Sequence, residues 1–130
     1  MAGVYLDTST LGRVLLGEPD APAVLATLAD FDQHVASRLL AVELHRLAFR
    51  HDVLGQADQL LGAVALVPID EALLAAAETV EPAAVGTLDA IHLATALRLA
   101  ADEAVAAVMT YDRRLAEGAS HHGLHVVAPS

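Results

Sequence analysis

Five short apolar runs, at residues 3–6, 34–36, 65–69, 106–110 and 124–127, are separated by longer stretches with helical periodicity. This alternation constrains the fold more than any other feature of the chain. Strands separated by helices pair in parallel through crossovers. The pattern therefore predicts an α/β fold, a three-layer α/β/α sandwich around a short central parallel sheet of four to five strands. Several of the runs are continuously apolar rather than alternating, as a sheet covered on both faces requires. Twenty-eight Ala and twenty-two Leu fill the intervening segments with strong helix formers. At 130 residues one core suffices, so a single domain over residues 1–130 is expected.

Helices are expected at residues 11–16, 23–31, 38–51, 56–61, 71–79 and 88–101, with a short one from Asp112 to Gly118. Pro19 and Pro22 read as turn residues and Gly55 as an interruption. In the 38–51 helix, Leu40, Leu44, Leu47 and Ala48 recur at steps of three and four and mark one buried stripe.

Composition excludes several function classes. The chain carries 17 acidic residues against seven Arg and no Lys, a formal charge of −10. It is not a protein that holds nucleic acid by bulk positive charge. Having no Cys, it has no disulfide framework, no zinc–thiolate site and no thiol nucleophile. The longest apolar stretch, residues 60–69, is about half of what a spanning helix needs. No export signal is apparent at the N-terminus, where Asp7 interrupts the apolar run. A cytoplasmic protein without a membrane partner is the expectation.

Most of the acids are explained as helix caps or solvated surface. Four stand apart. Asp7 directly follows the first strand, and Asp112 follows the fourth by two residues. Asp89 lies in the first turn of the 88–101 helix. Glu43 sits inside the 38–51 helix beside its apolar stripe. Open parallel sheets bind ligands at the crevice outside their C-terminal strand ends, where helix N-termini also point. Carboxylates gathered there repel one another, by on the order of 4 kcal/mol per pair at about 4 Å and an effective dielectric near 20. Protons or a divalent cation must relieve this, and an all-oxygen set favours Mg²⁺ or Mn²⁺. Taken singly, Asp7 and Asp112 are more often helix caps than metal ligands, and Asp89 also fits a cap or a first-turn acid favoured by the dipole. An i, i+3 pair with Arg46 would satisfy Glu43.

The words around these acids carry more information than their spacing. YLDTSTL (residues 5–11), AVELHR (41–46), LDAIHLATAL (88–97) and TYDRRL (110–115) resemble, in order, the PIN-domain ribonucleases. The resemblance is strongest to the VapC toxins of prokaryotic toxin–antitoxin pairs, and it spans essentially the whole chain. It implies an acidic quartet of Asp7, Glu43, Asp89 and Asp112 that binds Mg²⁺ or Mn²⁺. The activity implied is endonucleolytic hydrolysis of RNA by a metal-activated water, leaving a 5′-phosphate and a 3′-hydroxyl. Many relatives place a basic residue just before the third acid, where this chain has Val85-Gly86-Thr87. The implied partners are an RNA substrate, a VapB-type antitoxin and a second copy of the chain, with the helices at 23–31 and 56–61 as interface material.

Four further residues flank the quartet. Ser9 follows Asp7 by two and serves either as a cap or as a donor to a carboxylate or water. His92 shares a helix face with Asp89 and reads as packing or support for a ligand. Arg46 and Arg50 lie on the Glu43 face of their helix, placed to pair with the quartet or to meet RNA phosphates. His121, His122 and His125 read as solvated loop. A second function class is a Rossmann-like nucleotide- or phosphate-binding regulatory module without nuclease activity. Against it, DTSTLG after the first strand lacks a glycine-rich phosphate loop. A haloacid-dehalogenase-like phosphatase would need Asp at position 9 and a later Lys, and the chain has neither.

Overall fold

The computed structural model describes residues 3–130. Strands β1 (Gly3–Leu6), β2 (His34–Ser37), β3 (Ala65–Val67), β4 (Val105–Met109) and β5 (His125–Val127) form one parallel sheet in the order β3-β2-β1-β4-β5. Helices α1 (Thr8–Leu15) and α2 (Ala21–Leu28) join β1 to β2. Helices α3 (Arg38–Arg50) and α4 (Leu54–Leu61) join β2 to β3. Helices α5 (Glu71–Ala77) and α6 (Thr87–Ala101) carry the chain across to β4, and α7 (Arg113–His121) leads to β5.

The handedness of crossovers explains the layers. From β1 the chain steps outward twice in one direction, and after β3 it returns and steps the other way. Right-handed connections then put the first four helices on one face and the last three on the other. One core joins Val4, Leu6, Ala36 and Met109 to Leu11, Val24, Leu40 and Leu44 of α1 to α3. The other joins Tyr5, Val35, Val105 and Val108 to Leu93 and Ala96 of α6 and Leu115 and Ala119 of α7. The strand order reverses between β1 and β4, so the crevice of this sheet opens just beyond Leu6 and Met109.

β4 contains one irregularity. Gly3 pairs with Val105 but Val4 pairs with Ala107, leaving Ala106 as an extra residue. Ala106 is exposed although the other residues of β4 are buried. This bulge inverts the parity of the strand, which is why Val105 and Ala107, two residues apart, serve opposite cores. Beside it, a Cβ on Gly3 would stand 2.8 Å from the Ala104 carbonyl oxygen and 3.1 Å from that of Gln33. Both obstacles are backbone. Gly3→Ala is therefore expected to lower stability by about 1–3 kcal/mol, measured as a reduced urea midpoint.

Several boundaries differ from expectation for local reasons. α1 begins at Thr8, so the hydroxyl-rich segment is helix. Pro22 lies in the first turn of α2, where a missing N–H costs nothing. Gly55 lies within α4. Gly118 does not end α7, which runs on to His121. Its missing side chain instead admits α6, since a Cβ there would meet Leu93 Cδ2 at 2.9 Å. His121 and His122 accordingly close a helix, and His122 donates through Nε2 to the Glu81 carbonyl at 2.7 Å. Among the described residues, no helix is long and apolar enough to cross a membrane.

Candidate active site

β1 delivers Asp7 to the crevice, buried at 4% exposure. Asp7 occupies the N-cap position of α1, yet its side chain makes no capping bond. The carboxylate is held by other hydroxyls. Ser9 donates to Oδ1 at 2.7 Å and Thr110, beyond the end of β4, donates to Oδ2 at 2.7 Å. Thr10 reaches past it and donates to the Met109 carbonyl at 2.7 Å, pinning α1 to β4. Burial pushes the Asp7 carboxyl above the usual range, while the Ser9 and Thr110 hydroxyls oppose the rise.

Glu43 approaches from α3. Its Oε1 accepts from Thr8 Oγ1 at 2.7 Å and from His92 Nε2 at 2.8 Å. Burial raises its pKa, but these hydrogen bonds outweigh burial and hold the carboxyl below its ordinary value. The pair with Arg46 expected from helix spacing does not form. The exposed Arg46 lies over the Phe49 ring instead, 5.7 Å from its centroid. Arg50 is likewise exposed, so neither arginine joins the acids.

Asp89, in the first turn of α6, is pushed up to about 6. Partial burial is the largest cause, followed by the charge and hydrogen bonding of the neighbouring Asp112 carboxyl. Asp7 adds a weaker repulsion. Asp112 itself caps α7, accepting from the backbone N–H of Arg114 at 2.9 Å and of Leu115 at 3.1 Å. Asp112 therefore caps a helix while its carboxyl faces Asp89. Its own N–H donates to Thr110 Oγ1 at 3.0 Å, so one threonine fastens both strand-end acids.

The fold thus brings Asp7, Glu43, Asp89 and Asp112 to one sheet edge, with Ser9 and His92 bonded to two of them. Among the described residues, no three His, Asp or Glu side chains close into a ready-made ion cage. What exists is a shared edge of carboxylates, two pinned and two in mutual repulsion. This donor set fits a hard divalent cation, since it is all oxygen and its repulsion is what a cation would relieve. It does not fit a bare phosphate, because a carboxylate occupies the switch point where nucleotide-binding modules present backbone N–H groups.

Sequence reasoning missed Thr8, Thr110, Tyr5 and Ser37. The available signal was the density of hydroxyls in DTST and the Thr two residues before Asp112. Arg13 bonds Asp20 at 3.1 Å and stacks 3.8 Å from the Tyr111 ring centroid.

A doubly wound parallel sheet whose switch point carries hydrogen-bonded carboxylates defines an acidic-site α/β protein. The sequence profile of the PIN domain matches residues 4–120. Ribonuclease VapC46 of Mycobacterium tuberculosis is 35% identical over 132 residues, covering 100% of each chain. Ribonuclease VapC47 of the same organism is 33% identical over 133 residues, covering 97% of this chain and 96% of the relative. The chain belongs to the PIN-domain family, within its VapC ribonucleases. Two solved structures share the fold. The VapC20 toxin of M. tuberculosis, described as cleaving the sarcin–ricin loop, superposes with a TM-score of 0.74 at 16% identity over 97% of this chain and 99% of that one. A toxin–antitoxin complex from Klebsiella pneumoniae gives 0.72 at 18% identity, with 98% of each chain covered.

Proposed function

We propose that this chain is the toxin of a toxin–antitoxin pair and an endoribonuclease that hydrolyses RNA phosphodiester bonds with Mg²⁺ or Mn²⁺. The observation that carries the metal-dependent reading is the state of Asp7. It sits at a helix start yet its side chain makes no capping bond, and each of its oxygens accepts from a hydroxyl, Ser9 on one and Thr110 on the other. A bound divalent ion supplies an acidified water for attack on phosphorus and offsets charge on the leaving oxygen. Asp7 and Glu43 are the oriented ligands in this reading, because their donors fix which lone pairs face the crevice. Asp89 and Asp112 would complete the set, and a bound cation would offset their mutual repulsion. Arg46 and Arg50 remain available to RNA phosphates along the exposed side of α3.

The partner in this reading is an antitoxin with a basic segment, suited to a chain of formal charge −10. An apolar groove of about 290 Å³, lined by Leu11, Leu25, Leu28, Leu60 and Val64 between α2 and α4, supports an apolar portion beside it. A second copy of the chain is the other proposed partner. Val42 and Phe49, 51% and 63% exposed on α3, are apolar surface available to either.

The test is cleavage of a panel of structured RNAs by antitoxin-free protein, in Mg²⁺ and in EDTA. Cuts are expected in Mg²⁺ alone, and they are expected to vanish in Asp89→Asn. Cleavage that persists in EDTA refutes the metal mechanism.

A further inference from the structure

Behind Glu43 lies a chain of buried groups that the proposed chemistry does not itself require. Tyr5, wholly buried in β1, places its hydroxyl 2.7 Å from His92 Nδ1. The same oxygen accepts the Ser37 backbone N–H at 3.3 Å, at the junction of β2 and α3. On the other side of the ring, His92 Nε2 stands 2.8 Å from Glu43 Oε1. His92 is itself buried, at 2% exposure. A carboxylate only accepts, so Nε2 must carry a proton. In a neutral ring Nδ1 then accepts, and the tyrosine hydroxyl, which takes the Ser37 N–H on its oxygen, donates to it. The order of donors is then fixed: Ser37 N–H to Tyr5, Tyr5 O–H to His92 Nδ1, His92 Nε2–H to Glu43.

We infer that Tyr5 and His92 form a positioning relay that fixes His92 as its Nε2–H tautomer and holds Glu43 with one oxygen saturated and the other turned to the metal. This rests on the metal-dependent reading above. With Thr8 and His92 both donating, Oε1 is committed, and Oε2 is left for a ligand. The relay also crosses elements. His92 rides on α6 one turn beyond Asp89, so its bond to Glu43 ties the helix of the third acid to the helix of the second. Loss of the ring frees the Glu43 rotamer and loosens the spacing of two carboxylates together. Outer-shell partners of this kind typically change metal affinity by about 10–100-fold.

The test combines two readouts on purified protein. The ¹⁵N spectrum of the metal-free protein, with His92 assigned through a His92→Gln control, is expected to show an unprotonated Nδ1 and a protonated Nε2. A protonated Nδ1 overturns the relay whether or not metal binds. Mn²⁺ titration by calorimetry is expected to weaken at least about 10-fold in His92→Ala. His92→Gln, whose amide N–H can replace the Nε2 donor, is expected to stay within about 3-fold of wild type. Tyr5→Phe, which leaves the tautomer unassigned, is expected to fall between them. Wild-type Mn²⁺ affinity in a folded Tyr5→Phe together with His92→Gln as weak as an unfolded control rejects the relay. If His92→Ala does not fold, the tautomer and the other two variants decide. A wild-type protein that binds no Mn²⁺ defeats the metal-dependent reading while the tautomer result stands.

Discussion

Replacing Asp7 with Asn is expected to abolish Mg²⁺-dependent RNA cleavage while raising the melting temperature of the metal-free protein. The two effects have one cause. Asp7 is 4% exposed, and burial pushes its carboxyl toward the neutral form. The ionised carboxylate is therefore only partly compensated by its surroundings. Asn keeps the size and most of the bonding. Its oxygen can accept from Ser9, and its amide can donate to Thr110 Oγ1, whose proton then turns to Ser9 Oγ at 3.3 Å. What it lacks is the charge needed to hold a divalent ion. A loss on the order of 10³-fold in rate, equivalent to about 4 kcal/mol of transition-state stabilisation, is the expectation for a metal site that loses a charged ligand. Relief of the buried charge is expected to contribute roughly 1 kcal/mol, or about 3–6 °C. Single-turnover cleavage and a thermal melt in EDTA read the two quantities separately. Wild-type cleavage by a folded Asp7→Asn would refute the assignment of this residue.

The same residue marks how far the sequence could be read. The fold was legible because a period of alternating strand and helix has few solutions, and the strand-end acids were legible because parallel sheets expose those ends. The bulge at Ala106 was not, since nothing distinguishes that alanine from its neighbours until Gly3 and Val4 choose their partners on β4. Gly118 misled for the opposite reason. Glycine ends helices often enough that its other use, letting two helices touch, is invisible without Leu93 beside it.

Within the site, local spacing rules supplied the wrong partner for Glu43. They see only residues three or four apart on one helix and so offered Arg46. The actual donors, Thr8 and His92, arrive from α1 and α6. Ser9 was legible as a donor to a carboxylate, and it bonds Asp7. Thr110 was obscure for a related reason: a hydroxyl after a strand looks like a helix cap, and only the position of β4 beside β1 turns it onto Asp7. Asp112 shows that the alternatives need not compete, since its Oδ1 caps α7 while its carboxyl repels Asp89.

In EDTA, the melting temperature is expected to rise as the pH falls from 7.5 to 5, and Mg²⁺ at pH 7.5 is expected to produce the same rise without acid. Asp89 has a folded pKa of about 6 against an ordinary value of 3.8. Between those values the folded state binds more protons than the unfolded state, so stability increases as pH falls. Asp7 is shifted in the same sense. Glu43 and Asp70 are shifted downward, so the stability they contribute is lost only at lower pH, below the ordinary carboxylate range. The rise from 3.8 to about 6 corresponds to about 3 kcal/mol, and solvent screening of the half-buried Asp89 reduces this to roughly 1–2 kcal/mol. Saturating Mg²⁺ acts on the same repulsion, and at about 100 times its dissociation constant a ligand adds about 2.7 kcal/mol. Because protons and metal then compete for one set of oxygens, the stabilisation by Mg²⁺ is expected to shrink toward pH 5. The Asp89→Asn variant separates this carboxylate from every other titrating group, and its EDTA profile is expected to be flatter than that of wild type. A wild-type melting temperature that falls steadily with acid in EDTA, with Mg²⁺ without effect at pH 7.5, would mean that the four carboxylates do not repel one another enough to need a cation.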